Sequence, residues 1–415
     1  MMVNIIVGGG IFELPATVAG IMGRQSPIAC LIAAAGIGVI AACTAEVASR
    51  FRQAGGPYLY AKTAFGRFIG LQTAWLLWLT RIAAAAAVAN VFIDYLQDFL
   101  PQARGPVARL AILTILIVGF AAINIRGVKA GTRVSNVFLV FKLLPLVILV
   151  GSGLGFIYVH GTPVAQRAVT HSAGEWMNAV FLFVFAYGGF EAALIPTGEL
   201  KDPTRDAPVA LLCALTIVTA LYYLVQVVVV GTLGSSAQTN LPLVAAADAF
   251  GAARMARVVS AGALLSILGF FAANMIATPR ITFAMAEQGD FPCVFAAIHR
   301  RYHTPYISIL AFAILVWLLT LVGTFRWNVA LSAASRLFIY GMVCAALPTL
   351  RKNIPRQEGF HLPGGQVFAL LGIAFALTLL SRIGLAEVIV LAITAFVAFL
   401  NWLAVRRRPF SRSSL

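Results

Sequence analysis

The sequence predicts an all-α protein that crosses a membrane about twelve times. Hydrophobic residues make up 61% of its 415 residues and charged residues only 11%, and the mean hydropathy is +0.93. A soluble fold of this composition would leave most of its apolar surface in water. Twelve apolar stretches approach the length of about 20 residues that spans a bilayer. Two of these stretches are broken by glycines at corresponding places in the two halves of the chain, as in an inverted repeat.

The twelve stretches form two units of five and a closing pair. We expect the first unit in residues 1–160, an inverted second unit in 161–350, and two helices with a basic tail in 351–415. The second unit is inverted because five is an odd number of crossings. The expected spans lie near residues 2–22, 27–48, 68–96, 107–125, 134–158, 175–198, 207–233, 258–286, 305–324, 327–349, 366–382 and 385–404.

Two short helices are expected outside the spans. Residues 55–66 are too polar and glycine-rich to cross the bilayer and indicate an interfacial helix on the cytoplasmic side. Residues 241–250 are amphipathic and are the expected counterpart on the outer side.

The loop charges orient the chain. If the N-terminus is cytoplasmic, 19 of the 30 basic residues lie in inner loops and eight in outer loops. The excess of positive charge places both termini in the cytoplasm and the protein in the cytoplasmic membrane. The tail with Arg406, Arg407 and Arg408 is expected to contact lipid headgroups. The net charge of +16 is spread over short loops, which argues against nucleic acid as a partner.

The start of the chain has no basic region before its apolar residues, so no cleavable signal peptide is predicted. Only seven residues precede Gly8. This is too short for a full half-helix, so either this half is shortened or the chain begins further upstream.

The two glycine breaks are the predicted binding site. Glycines let the backbone leave the helix, and the free N–H groups at the start of the next half-helix favour a carboxylate. Unwound carbonyls suit an ammonium group, and the flanking aromatic rings are large enough to cover a bound side chain. The alternative is that the glycines only permit close helix packing. The predicted site comprises Gly8, Gly9, Gly10, Ile11, Phe12, Tyr187, Gly188, Gly189, Phe190 and Glu191.

Five charged residues lie within the apolar stretches, where each costs about 2.5–3.5 kcal/mol and needs a partner or a task. They are Glu13, Arg81, Lys142, Glu191 and Arg336. One interpretation pairs Glu191 with Arg81 and Arg336, which would lock the third, sixth and tenth spans together. In another interpretation, Arg81 or Arg336 contacts a substrate carboxylate, or Glu191 attracts a cationic substrate side chain. The two arginines would oppose the binding of a cationic side chain. Glu13 is expected at the outer end of the first helix.

Enzymatic and metal-binding functions find no support in the sequence. The five cysteines show no CxxC pairing, and His299 and His303 lack further ligands nearby. There is no catalytic triad at membrane depth and no phosphate-binding GxxxxGK[ST] loop. We therefore predict no enzyme activity, no cofactor and no metal site.

Four motifs, in order and at compatible spacing, resemble the amino acid–polyamine–organocation transporters. Gly8 to Phe12, followed by Leu14 and Pro15, is similar to the GSGIF signature of that family's first helix. Similar matches are found for its first cytoplasmic loop, its sixth helix with the following loop, and the end of its eighth helix. These lie at residues 54–58, 185–191 with 198–208, and 278–292. The resemblance covers essentially the whole chain and implies a fold of the leucine-transporter type.

The resemblance implies a secondary transporter that moves amino acids by alternating access. Lys142 matches a fifth-helix lysine of sodium-independent members, whose ammonium stands where other members place a sodium ion. This implies proton coupling or exchange; a fixed cation that holds first-helix carbonyls is the equally open alternative. A transporter of polyamines or organic cations, and a transport-inactive sensor or partner subunit, also stay open. The substrate and the oligomeric state are not determined by the sequence.

Overall fold

The computed structural model describes residues 3, 6–51, 55–127, 132–162, 170–193, 203–234, 239–251, 253–354 and 360–406. These residues form α-helices, short 3-10 turns and connecting loops, and no strand occurs among them. The helices are α1 Leu14–Met22, α2 Ser26–Ser49, α3 Gly56–Phe65, α4 Arg67–Leu96, α5 Pro106–Arg126, α6 Thr132–His160, α7 Ala173–Ala186, α8 Phe190–Ala193, α9 Pro203–Leu233, α10 Pro242–Ala249, α11 Ala253–Glu287, α12 Tyr306–Val322, α13 Phe325–Asn353, α14 Gly365–Leu380 and α15 Leu385–Val405.

The helices confirm a multi-pass membrane protein. Eight helical segments in the described part of the chain are long and apolar enough to cross a membrane, and Leu14–Ser49, which joins α1 and α2, counts as one of them. The apolar helices α7, α12 and α14 are shorter. Within the described residues, each predicted apolar stretch overlaps a helix or a broken helix. The total of twelve spans and the division into two inverted units stay predictions.

Helix α4 lies at the centre of the bundle. In its most apolar window, 83% of the residues are buried, against 17% for α5 and 22% for α15. It packs against α3, α11, α12, α13 and α15. Its run of alanines at 83–87 is fully or almost fully buried, and such small side chains let neighbouring helix backbones approach closely. The low burial of α5 and α15 gives them apolar surface for contact with lipid.

Both predicted short helices are present, as α3 and α10. Helix α3 has Pro57 in its first turn, where a missing N–H costs nothing. It ends at Phe65, and the capping residue that follows, Gly66, has a φ of +88°, which favours glycine. Helix α7 begins with a capping box between Ser172 and Glu175. Residues 198–202 of the motif at 198–208 and the start of the 54–58 motif lie outside the described residues.

Candidate functional site

The first glycine break is tightly packed. Gly8 is extended, with φ −102° and ψ −166°, and the next four residues form one turn of 3-10 helix before α1 begins. A Cβ atom on Gly9 would lie 2.7 Å from the Val88 side chain, and one on Gly10 would lie 2.8 Å from Phe185. Real Cβ atoms do not approach other atoms so closely. Glycine is therefore needed here to bring the unwound backbone against α4 and α7.

The second glycine break is a turn at residues 187–189 between α7 and α8. Gly189 has a φ of +111°, a conformation that side-chain-bearing residues rarely adopt. Position 188 requires glycine for a steric reason, because a Cβ atom there would overlap the guanidinium of Arg336.

A cavity of about 30 Å³ lies between the two breaks. One water needs roughly 10–15 Å³ measured in this way, so the cavity is too small for an amino acid and its walls must move to admit one. Five of the predicted site glycines line it, together with two arginines. The lining residues are Ile6, Gly8, Gly9, Gly10, Arg81, Ala84, Val88, Phe185, Ala186, Gly188, Gly189, Phe270 and Arg336.

Glu191 forms a buried ionic group with the two arginines. Its Oε1 atom lies 3.3 Å from Nη1 of Arg336 and 3.9 Å from Nη2 of Arg81. Its Oε2 atom accepts hydrogen bonds from the Tyr340 hydroxyl at 3.0 Å and from the Gly189 N–H at 2.9 Å. The ion pairs expected between the third, sixth and tenth spans are thus present, linking α4, α8 and α13. Removing one partner of such a buried pair costs about 3–5 kcal/mol.

Lys142 lies beside the first break. Its side chain extends from α6 and is 3% exposed, and its ammonium donates a hydrogen bond to the carbonyl of Val7, next to Gly8. A carbonyl released by helix unwinding needs such a donor at membrane depth. The position is the one that the family resemblance implied, and the part of Lys142 in ion coupling stays a prediction.

Two tyrosines tie the broken backbone to its neighbours and were missed from the sequence. The Tyr222 hydroxyl lies 3.2 Å from the carbonyl oxygen of Ala186 and 3.4 Å from that of Ile6, so it bridges both breaks. The Tyr95 hydroxyl donates to the Phe12 carbonyl at 2.8 Å. The signal was available, because a tyrosine within an apolar span must find a partner for its hydroxyl.

Four other predicted site residues do not line the cavity in this conformation: Ile11, Phe12, Tyr187 and Phe190. All four are buried. The Tyr187 hydroxyl lies 3.1 Å from the Cys30 sulfur, and the Phe190 ring packs against Tyr340 with centroids 5.0 Å apart. Their expected part in covering a bound side chain stays a prediction.

Glu13 is not at the outer end of the first helix, and that expectation was wrong. Because the break delays the start of α1 until Leu14, Glu13 lies at the beginning of that helix. It lines a second cavity of about 610 Å³ together with Asp94, Arg109 and Arg326. This cavity lies among the C-terminal ends of α4 and α12 and the N-terminal ends of α5 and α13, which the charge pattern predicts to face outward.

Two aromatic rings separate the two cavities. Phe185 lines the small cavity and Phe325 lines the large one, and their rings make an edge-on contact with centroids 6.4 Å apart. One residue from the lining of each cavity thus takes part in this contact.

The opposite side of the small cavity is closed more extensively. We name Trp75, Trp78, Phe291 and Phe295 the aromatic plug. The rings of Trp75 and Phe291 stack at 4.6 Å, and Trp78 contacts both Phe291 and Phe295 edge-on. Arg81 reaches from the small cavity to the plug, because it also lines a pocket with Trp78 and Phe291.

A polar cluster lies beyond the plug, and we name Tyr58, Lys62, Arg67 and Asp290 the inner latch. Asp290 is 1% exposed. It accepts hydrogen bonds from Lys62 at 2.6 Å, from Arg67 at 2.8 Å, and from the Tyr58 hydroxyl. Burial, followed by the charge of Asp290, raises the pKa of Tyr58 above its usual value, so the hydroxyl remains a donor. The latch connects α3 and α4 to the segment after α11.

A second ionic cluster supports the same end of the bundle. Glu46 on α2 accepts hydrogen bonds from Arg351 on α13 at 2.8 and 2.6 Å and from Arg50 at 2.9 Å. It also accepts the backbone N–H of Leu362 at 3.0 Å. This end of the bundle is thus held together by the contacts of two buried carboxylates, Glu46 and Asp290, and by the aromatic plug.

Broken helices around a buried, charged cavity, with a larger cavity on one side and a closed end on the other, are typical of a multi-pass membrane transporter. Comparison with known proteins gives the family. A family model described as "Amino acid permease" matches residues 1–406. The chain therefore belongs to the amino acid permease family, which confirms the resemblance to the amino acid–polyamine–organocation transporters. It is a transporter and not an enzyme.

Three relatives illustrate the range of this family. The chain is 30% identical over 326 residues to the methylthioribose transporter of Bacillus subtilis, covering 73% of this chain and 69% of the relative. It is 25% identical over 422 residues to the branched-chain amino acid permease BcaP of the same organism, covering 97% and 88%. It is 25% identical over 410 residues to the arginine/agmatine antiporter of Chlamydia pneumoniae, covering 93% and 84%.

Proposed function

We propose that this protein is a secondary transporter that moves amino acids across the cytoplasmic membrane by alternating access. The observation that carries the proposal is the meeting of the two glycine breaks at one buried cavity. Half-helix N-termini and unwound carbonyls offer a carboxylate and an ammonium group their partners in the same place. A branched-chain amino acid permease and an arginine/agmatine antiporter among the relatives support amino acids as the substrate class.

The unequal closure of the cavity supports alternating access. One aromatic contact, between Phe185 and Phe325, separates it from the larger cavity, whereas the aromatic plug and the inner latch close the other side. Substrate would enter from the larger cavity by displacement of the rings. Release to the other side would require the plug and the latch to separate while the rings close.

Transport without sodium, coupled to protons or to exchange, is the second part of the proposal. It is supported by the Lys142 ammonium, which already holds the Val7 carbonyl beside the first break. A cation fixed at that point on the backbone fills the role that a bound sodium ion would have. The Lys142 ammonium can lose its charge by releasing a proton, whereas a bound sodium ion keeps its charge.

Purified protein in liposomes tests both parts. We expect saturable, gradient-dependent accumulation or exchange of labelled amino acids that does not change when sodium is replaced by potassium. Lys142→Met and Lys142→Ala should abolish the dependence on an imposed proton gradient, and Lys352→Met, at an exposed lysine on α13, is the matched control. A requirement for sodium, or unchanged proton dependence in the Lys142 variants, contradicts the coupling proposal. Absence of any accumulation or exchange favours a sensor or partner subunit.

A transporter of polyamines or other organic cations is the second candidate, and the buried carboxylate of Glu191 is the observation in its favour. Agmatine and putrescine should then compete with the labelled substrate. Methylthioribose belongs in the same competition panel, because a relative carries that name. Competition by these compounds and not by amino acids would replace the first candidate.

A further inference from the structure

The charge of the central cavity is positive. Among its lining residues, all of them described, the ionisable side chains are Arg81 and Arg336. Glu191 neutralises one of these charges but does not line the cavity. One unit of positive charge therefore remains where substrate would bind, without counting Lys142 at the first break. Unbalanced charge at membrane depth is costly, so this site favours an anionic group.

Glu191 is not placed to receive a cationic substrate. One of its oxygens already accepts two hydrogen bonds, from Tyr340 and Gly189. The other faces Arg336 and Arg81 at 3.3 and 3.9 Å. A substrate in the cavity would meet the guanidinium groups before it reached this carboxylate. Glu191 is thus a counter-ion that positions both arginines.

Both arginines retain unused donors. The Nε atoms of Arg81 and Arg336 are buried and make no hydrogen bond within the described part of the protein. Nη1 of Arg336 faces Oε1 of Glu191 at 3.3 Å as an ion pair, without a hydrogen bond at either atom. A buried donor without an acceptor costs about 1–3 kcal/mol. A carboxylate accepts from two guanidinium nitrogens at once, which makes it the group that best satisfies such donors.

These donors are additional to the ones at the first glycine break. The unwound backbone at the first break offers further N–H groups, those of Gly9 and Gly10 at the start of a 3-10 turn, which suit the α-carboxylate that every amino acid carries. Arg336 lines the same cavity at the second break, against Gly188. A substrate that satisfies both sets of donors carries two carboxylates.

We propose that the site selects amino acids with an acidic side chain, and that Arg336 and Arg81 hold the side-chain carboxylate. This inference rests on the proposed amino acid transport. It makes Arg336 and Arg81 the specificity-determining residues of the site and Glu191 a positioning residue.

Uptake into liposomes tests the inference with matched pairs of substrates. Glutamate and glutamine, and likewise aspartate and asparagine, differ in side-chain charge at nearly equal size. We expect each acid to be preferred over its amide roughly ten- to hundredfold, the range of one to two charge-assisted hydrogen bonds. The thermal unfolding temperature of the purified protein should also rise when glutamate is added and should not rise with glutamine. This measurement reports binding without transport.

Substitutions separate recognition from structure. Arg336→Gln and Arg81→Gln should each reduce the ratio of glutamate to glutamine uptake by roughly tenfold or more. Arg257→Gln, at an exposed arginine on α11, should leave that ratio unchanged. Arg336→Gln leaves Glu191 without its nearest cation. If this single variant fails to fold, the double variant with Glu191→Gln removes both members of that ion pair and keeps the net charge of the group unchanged, because Arg81 remains.

The single variant Glu191→Gln decides whether Glu191 positions the two arginines or itself recognises a cationic substrate side chain. If Glu191 only positions the arginines, the preference for glutamate over glutamine does not fall below one in this variant. If Glu191 recognises a cationic side chain, the wild-type protein prefers arginine and Glu191→Gln abolishes that preference. Transport of neutral or cationic amino acids in preference to acidic ones overturns this inference and leaves the proposed function standing. Failure to transport or exchange any amino acid removes the proposed function and the inference with it.

Discussion

The guanidinium of Arg336 lies against the α-carbon of Gly188, in the space that a Cβ atom at that position would fill. Arg336 extends from α13, and Gly188 is part of the turn between α7 and α8. The second glycine break therefore has two purposes. Gly189 allows the backbone to turn, and Gly188 provides the recess that brings a buried cation to within 3.3 Å of Glu191.

The Gly188 recess predicts the effect of a single methyl group. Gly188→Ala should displace the Arg336 guanidinium and lower substrate affinity by roughly tenfold or more, because a charge-assisted hydrogen bond contributes about 1.5–3 kcal/mol. Titration of substrate against the thermal unfolding temperature measures this. Gly119→Ala is the control, since a Cβ atom on Gly119 meets open space. Equal affinity in the two variants would show that Arg336 is not held by this contact.

The Tyr222 hydroxyl predicts coupling between the two breaks. Tyr222→Phe removes the group that reaches the carbonyls of Ile6 and Ala186 and should lower the free energy of unfolding by about 1–3 kcal/mol. Tyr223→Phe, one residue further along α9, should have little effect. Hydrogen exchange at residues 6–12 and 185–190 should increase together in Tyr222→Phe; an increase confined to one break would contradict the bridging role.

The inner latch predicts that Asp290 holds the protein closed on that side. Asp290→Asn leaves Lys62 and Arg67 without their carboxylate and should destabilise the closed state by about 3 kcal/mol. The native Cys293, which is exposed three residues away, is a poor reporter because it is already accessible. A cysteine introduced at Ala74, which is 2% exposed and packed among the plug residues, should instead become reactive to a small maleimide.

Asp248→Asn, at an exposed position on α10, is the matched control in the background of the Ala74 cysteine. Unchanged reactivity of that cysteine in Asp290→Asn would mean that the aromatic plug closes this side without the latch.

The pKa of Asp290 predicts the pH range of the latch. Burial raises this pKa, and the hydrogen bonds from Lys62 and Tyr58 outweigh burial and hold it below its ordinary value. A carboxyl with a lowered pKa in the folded state stabilises the fold above its ordinary pKa of about 3.9 and loses that contribution as the pH falls through the lowered value. The difference in unfolding temperature between wild type and Asp290→Asn should be constant from about pH 5 to 8 and should shrink only in stronger acid. If the difference in unfolding temperature changes between about pH 5 and 8, a group other than Asp290 titrates in that range.

Much of the fold was predictable because membrane depth imposes simple rules on sequence. Apolar length located the spans, and proline and glycine marked the ends of α3. The same rules required Arg81, Glu191 and Arg336 to find partners, and the expected pairing is the one observed. Glu13 was misplaced because its position depends on where the helix resumes after the break. That is decided by the packing of Gly9 and Gly10 against Val88 and Phe185, which no local pattern records.

The sequence by itself determined the class of protein, the place of both breaks and the identity of the buried charges, since each follows from the cost of polar groups in hydrocarbon. Only the tertiary structure decided which groups face the cavity. Glu191 and the two arginines are equally conspicuous in the sequence, yet the arginines line the cavity and the carboxylate lies behind them. The reason is geometric: Gly188 admits the guanidinium, while Tyr340 and the Gly189 N–H hold the carboxylate outside the cavity lining.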